Sequence, residues 1–222
     1  MKIQNIVLAA ALAAAIAPHA SAVDFGLPKI GKAGNSNGSG NAEADIKSFL
    51  QTADEARKLT SQSAFALGKA LLTKEQMQAA DDALAAAKKI ANSGEREAAE
   101  STVVVDLQAQ LAKVDYEAAA KDVAKANDKK KTALIGNSMY NFVLGLLKDK
   151  ELVARGSALA SSAASNPMLL TKVGEVKGVL GSLSGQMGDM TQIATGLQKM
   201  SGAIKSVPLP TSASAAPVAI AD

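Results

Sequence analysis

The side chains that most often carry enzymatic chemistry are nearly absent from this chain. Among 222 residues there is no cysteine and one histidine, His19. Without a thiol there is no disulfide framework, no cysteine nucleophile and no thiolate metal site. One serine stands in a catalytic-looking pattern: Gly34-Asn35-Ser36-Asn37-Gly38 has the spacing of the G-x-S-x-G nucleophile elbow. That motif works on a strand-turn-helix with an imidazole in reach. Here it lies in a polar run of Gly, Asn and Ser, so it reads as linker. Ser-x-x-Lys, which supports serine chemistry without histidine, does not occur, and neither do P-loop, dinucleotide or EF-hand patterns.

Carboxylates are what remain. Asp81-Asp82 form one acidic cluster, and Glu95, Glu97 and Glu100 form another. Glu97 and Glu100, three residues apart, share a helix face and could weakly hold a hard cation. Acids in a first helical turn more commonly answer the positive end of the helix dipole, and that is the expectation here. The sequence thus predicts no catalytic residue, no metal ligand and no cofactor.

The first 22 residues have the three regions of a secretory signal peptide in order. Lys2 supplies the positive start, Ile6 to Ala17 is an unbroken apolar run of 12 residues, and Ala20-Ser21-Ala22 follows Pro18 as a small-x-small cleavage pattern. The run is far shorter than the ~20 residues of a membrane-spanning helix. With no twin arginine ahead of it, the expected route is the general secretory one. A periplasmic or secreted protein starting at Val23 is expected, and it contains no histidine at all. Removing Lys2 from 24 basic and 21 acidic side chains leaves a net charge of +2. That is too balanced for a nucleic-acid binder, which needs a concentrated basic face.

Positioning elements follow from the breakers. Residues 23–41 are rich in Gly, Asn and Ser and read as a flexible linker. Residues 207–222 carry three prolines among small residues and read as a disordered tail. No proline interrupts the 138 residues between Pro28 and Pro167, a stretch rich in Ala, Leu, Lys, Glu and Gln. The expectation is all-α: an elongated bundle of about five helices over residues 42–206. The first runs from about Ala42 to Leu72. Thr73 and Gln76 form a capping box for the second, to about Ala91. Asn92-Ser93-Gly94 breaks the chain before a third, about Glu95 to Ala126, striped by Val104, Leu107, Leu111, Val114 and Ala118. Asn127-Asp128 caps a fourth, reaching about Ala164. Asn166-Pro167 opens a fifth, to about Lys205, which at 1.5 Å per residue spans about 58 Å.

Two segments stand out as surfaces. Thr132 to Leu147 is apolar around most of its circumference through Leu134, Ile135, Met139, Tyr140, Phe142, Val143, Leu146 and Leu147, with Asn137 and Asn141 one turn apart inside it. Lys129-Lys130-Lys131 precede it, and Lys148 and Lys150 follow. The favoured expectation is a central bundle helix. The alternative is a membrane-contacting segment with its lysines at headgroup level.

In the last helix, Gly174, Gly178, Gly181, Gly185 and Gly188 recur at 4-3-4-3 spacing, within an arc of about 80°. Val176, Leu180, Leu183, Met187, Met190, Ala194 and Leu197 repeat on the opposite side. The apolar side is expected to pack into the bundle. The glycines then form a second packing face that lets another backbone approach closely. The function expected from these features is non-enzymatic: a structural, assembly or chaperone-like protein of the cell envelope that acts through a protein partner or self-association. The alternative is a membrane-active or apolar-ligand-binding protein in peripheral membrane contact.

Overall fold

The computed structural model describes residues 39–165, 167–204 and 208–220, with side chains from residue 42 onward. The signal segment, the Gly34–Gly38 pattern and all but the last residues of the expected linker lie outside the described residues. The described chain is all-α, with no strand. Its elements are α1 (Ser39–Leu71), α2 (Lys74–Ala87), α3 (Ser93–Leu111), α4 (Tyr116–Ala126), α5 (Lys129–Ala163), a 3-10 turn (Pro167–Leu169) and α6 (Leu170–Ile204).

Local capping accounts for most boundaries. The Thr73 hydroxyl accepts the Gln76 N–H at 3.3 Å while the Gln76 side chain accepts the Thr73 N–H at 3.0 Å, which closes the expected box. Asn92 caps α3 by accepting from the Gly94 and Glu95 N–H groups. Asp128 does the same for α5 with Lys130 and Lys131. Asn127, at φ 48°, ends α4 in the left-handed conformation that asparagine tolerates.

One expected helix is two. The chain breaks at residues 112–115, where the Asp115 carboxylate accepts the Glu117 and Ala118 N–H groups and starts α4 afresh. Tyr116 holds the corner: its hydroxyl donates to the Leu111 carbonyl at 3.0 Å, and its ring lies against Gly196 of α6. The stripe expected through Val114 and Ala118 is therefore cut, leaving Ala118 exposed.

Three long helices form the frame. α5 runs antiparallel to both α1 and α6, each about 50 Å long. One core cluster joins Ile46, Phe49, Ala53 and Ala56 of α1 to Leu152, Ala160 and Ala163 of α5 and to Val173, Val176 and Leu183 of α6. The other, larger cluster joins Leu67, Ile135, Met139, Phe142, Leu146, Met190, Ile193 and Leu197 to side chains of α2, α3 and α4. The result, among the described residues, is a three-helix stalk that widens into a six-helix head. Val176, Leu183, Met190, Leu197 and Ile204 of α6 are all buried at strict seven-residue intervals. An α-helix drifts about 20° per heptad, so this seam coils around its neighbours.

α1 and α5 meet closely because Gly145 faces Ala56 and Thr60, and Gly156 faces Phe49 and, across to α6, Leu180. A Cβ at Gly145 would overlap the Thr60 methyl and press on the Ala56 carbonyl at 3.3 Å. Thr60 cannot easily yield, because its β-branched side chain is tied to that carbonyl by a 3.0 Å hydrogen bond.

The end of the chain departs from expectation. Residues 208–220 have a defined course: Leu209 packs on the head core, Pro210 is buried, and Val218 and Ala219 are hydrogen-bonded to α5. Composition alone predicted disorder because it takes no account of a partner for the backbone.

Replacing Gly145 with Val is expected to destabilise the protein by about 1–3 kcal/mol through overpacking. A thermal melt that drops by several degrees fits this; an unchanged melt would mean that α1 and α5 are not held at this distance.

Candidate functional site

The two cores do not touch along α5. Between Leu146 of the head and Leu152 of the stalk lie Lys148 and Asp149, with side chains 5% and 2% exposed. The matching stretch of α1, between Ala56 and Ala64, buries Thr60, Ser61 and Ser63. A polar waist therefore separates two apolar clusters. Asp149 sits on the face that α1 packs against, four residues after Gly145 and seven before Gly156. Its Oδ1 is buried without a hydrogen-bond partner. Burial pushes its carboxyl up to about 7, because an ion in that position has lost its water. Burial also pulls the Lys148 ammonium down, partly offset by Glu55, whose carboxylate lies 3.9 Å away.

Sequence reasoning missed this pair. It read Lys148 only as a lysine flanking the apolar segment, at headgroup level in the membrane alternative, whereas the side chain lies inside the bundle. The available signal was spacing: Gly145, Asp149, Leu152 and Gly156 share a helix face, so Asp149 had to be buried with them.

The apolar segment is the central helix of the head. Ile135, Met139, Phe142 and Leu146 are buried, and Leu134, Val143 and Leu147 are half-buried. Among the described residues no helix is long and apolar enough to cross a membrane.

The acidic clusters are drawn into surface pairing. Glu97 accepts from Arg57 of α1 at 2.6 Å, and Asp82 accepts from Gln78 at 2.8 Å. Glu100 is raised by burial, against the pull of Arg96 and Arg57. Among the described residues, no three His, Asp or Glu side chains gather as a cation cage.

The glycine face is oriented as the periodicity implied. Gly174, Gly178, Gly181, Gly185 and Gly188 are all exposed, and a Cβ on any of them would meet no atom of the described residues within 4 Å. The opposite side is buried at Val176, Leu183, Met190 and Leu197 and half-buried at Leu180, Met187 and Ala194. The exposed residues between Lys177 and Lys199 are Gly, Ser, Thr and Gln, and the half-buried Asp189 carries the only charge in that stretch. That face runs about 33 Å along the helix.

The Asp149 environment gives a pH dependence with a definite sign. The folded state keeps the proton up to about pH 7, while the unfolded chain releases it near ~4. The resulting stabilisation is complete below ~4, falls by up to about 1.4 kcal/mol per pH unit as pH rises towards ~7, and is absent above. The Asp149→Asn protein is expected to melt higher than the native one at pH 8, with the gap closing at pH 5. Parallel melting curves across that range would show that Asp149 is not held in this environment.

No family model, no curated protein and no solved structure matches this chain.

Proposed function

We propose that this is an exported, non-enzymatic helical protein that works through protein–protein contact, and that the open glycine face of α6 is its contact surface. The carrying observation is an energetic imbalance. Each glycine in a helix interior costs about 1 kcal/mol relative to alanine, so the five cost about 4–5 kcal/mol. Among the described residues nothing is gained in return, because none of their atoms approaches where the missing side chains would be. Four other helical glycines, Gly68, Gly145, Gly156 and Gly196, are crowded by neighbours, while Gly202 near the end of α6 is open like the five. A second helix laid on the face would turn the missing side chains into close backbone packing. From Gly178 onward the exposed neighbours are uncharged Ser, Thr and Gln, which supports this reading, since a helix face meant only for water is normally charged; Gly174 lies among Lys172, Glu175 and Lys177.

Export rests on the ordered signal features of residues 1–22, and the compartment, periplasmic or extracellular, follows from them. A membrane-active or apolar-ligand-binding role for Thr132–Leu147 has less support. The bundle would have to open to release Ile135, Met139, Phe142 and Leu146.

The test is the Gly181→Ala, Gly185→Ala double variant. Both sites have open space, so the isolated chain is expected to gain roughly 2 kcal/mol from helix propensity. The same methyl groups should clash with any backbone packed on the face. Cross-linking in cells and co-purification from the envelope fraction should then lose the partner, or light scattering should lose the oligomer. A stabilised variant with unchanged cross-links and mass would end this reading. Export has its own check: mass spectrometry of the secreted or periplasmic protein should find a chain starting at Val23, and a retained N-terminus would overturn it.

A further inference from the structure

Beyond the buried Pro210, the segment 211–220 has no fully buried side chain. Ala213, Ala215, Pro217, Val218 and Ile220 are half-buried, and the residues between them are exposed, apart from the adjacent pair 217 and 218. Residues 212–215 make a turn, in which the Ala215 N–H donates to the Ser212 carbonyl at 3.2 Å, and residues 216–220 run on without a turn, resting one edge on the bundle. What holds it is aimed at its backbone. The Asn141 carboxamide, 3% exposed, pairs with Val218 in both directions: Nδ2 donates to the Val218 carbonyl at 2.7 Å, and the Val218 N–H donates to Oδ1 at 2.9 Å. One turn earlier on α5, Asn137 Nδ2 donates to the Ala219 carbonyl at 2.8 Å.

A carboxamide that takes both the N–H and the C=O of one residue acts as a neighbouring strand would. It reads extended backbone and is indifferent to most side chains, as in peptide recognition by strand addition. Asn137 also lines an open cleft of about 420 Å³ shared with Ala124, Thr132, Ala133, Gly136 and Ile204. The groove therefore extends past the last hydrogen bond, over small residues flanked by Val123, Lys129 and Ile204.

We infer that the α5 face around Asn137 and Asn141 is a binding site for an extended, uncharged, small-residue peptide of a partner protein, and that residues 211–220 occupy it as a built-in competitor. The occupant's chemistry is read from the segment seated there, Thr-Ser-Ala-Ser-Ala-Ala-Pro-Val-Ala-Ile, which has no charge and mostly small side chains. Three neutral hydrogen bonds fall well short of the entropy of ordering ten residues, and only half-buried side chains are there to supply the rest. The segment therefore opens readily, and tethering keeps it close enough to return. This surface is separate from the glycine face of α6 and does not depend on it.

The test uses the full chain and a fluorescently labelled peptide of residues 211–220. In the chain, Val218→Pro removes the N–H that Asn141 accepts while leaving the groove intact. Anisotropy is expected to show the native-sequence peptide binding the Val218→Pro chain about fivefold more tightly than the native chain, because the internal competitor is weakened. Adding Asn141→Leu should abolish that binding. Asn137→Ala, at a half-buried position less able to disturb folding, should weaken it severalfold. The Gly181→Ala, Gly185→Ala changes should leave it untouched. Absence of binding to the Val218→Pro chain, or binding that survives both asparagine substitutions, would reduce the segment to a structural strap. A native dimer seen by light scattering and lost in Val218→Pro would put the tail of a second copy in the groove, and would overturn the assignment to a partner protein.

Discussion

The close antiparallel contact of α1 and α5 is the constraint on which the bundle depends. Two glycines on one face of α5, eleven residues apart, set it: Gly145 against Ala56 and Thr60, and Gly156 against Phe49. With the pair fixed at both points, relative sliding would drive Cα positions into side chains that cannot move. α6 then lies against the pair in one register, its heptad seam following the groove. The short helices α2, α3 and α4 cover the side of the head that this frame leaves open. Interiors are packed too densely for such contacts to be relaxed one at a time.

Much of this was legible in the sequence where the signals are local. Thr73 and Asp128 start helices because their side-chain oxygens reach backbone N–H groups two or three residues on, and that chemistry needs no tertiary partner; Asn92, read only as a left-handed break, is a cap of the same kind at φ -73°. The side of α6 that faces outward could be read from the 4-3-4-3 spacing of its glycines, since helical period alone decides it. The break at Asp115 was harder to see. Ala112, Lys113 and Val114 are all compatible with helix, and only the corner made by Tyr116 against Gly196, 80 residues away, makes stopping better than continuing. Burial of Lys148 and Asp149 was less legible still, because charge predicts solvent and only the packing of α1 overrides it.

The tail shows how a compositional reading fails. Pro, Ser and Ala over residues 208–220 give no apolar face to bury, so disorder is the default expectation. The missing information was on α5, where two asparagines sit one turn apart in an otherwise apolar helix. A buried carboxamide needs partners, and the backbone of an extended segment satisfies it without any pattern in that segment's own side chains. The signal for the ordered tail lay some 80 residues before it.

The polar waist divides the protein into two cooperative units of unequal strength. Apolar contacts transmit stability along a helix bundle only while they are continuous, and here the continuity lapses at Thr60, Ser61, Ser63, Lys148 and Asp149. The stalk has a smaller core than the head and three helices rather than six. Fraying that begins at its free end gains little resistance until it reaches the waist, where the head's larger cluster takes over. A break between core clusters of this kind favours sub-global opening of the smaller one, which would expose the stalk backbone before the head unfolds. The turn between α5 and α6 lies at that opening end, and so do the first glycines of the open face. That face is carried partly on the softer unit, and a partner that grips it there would stiffen the stalk as it binds.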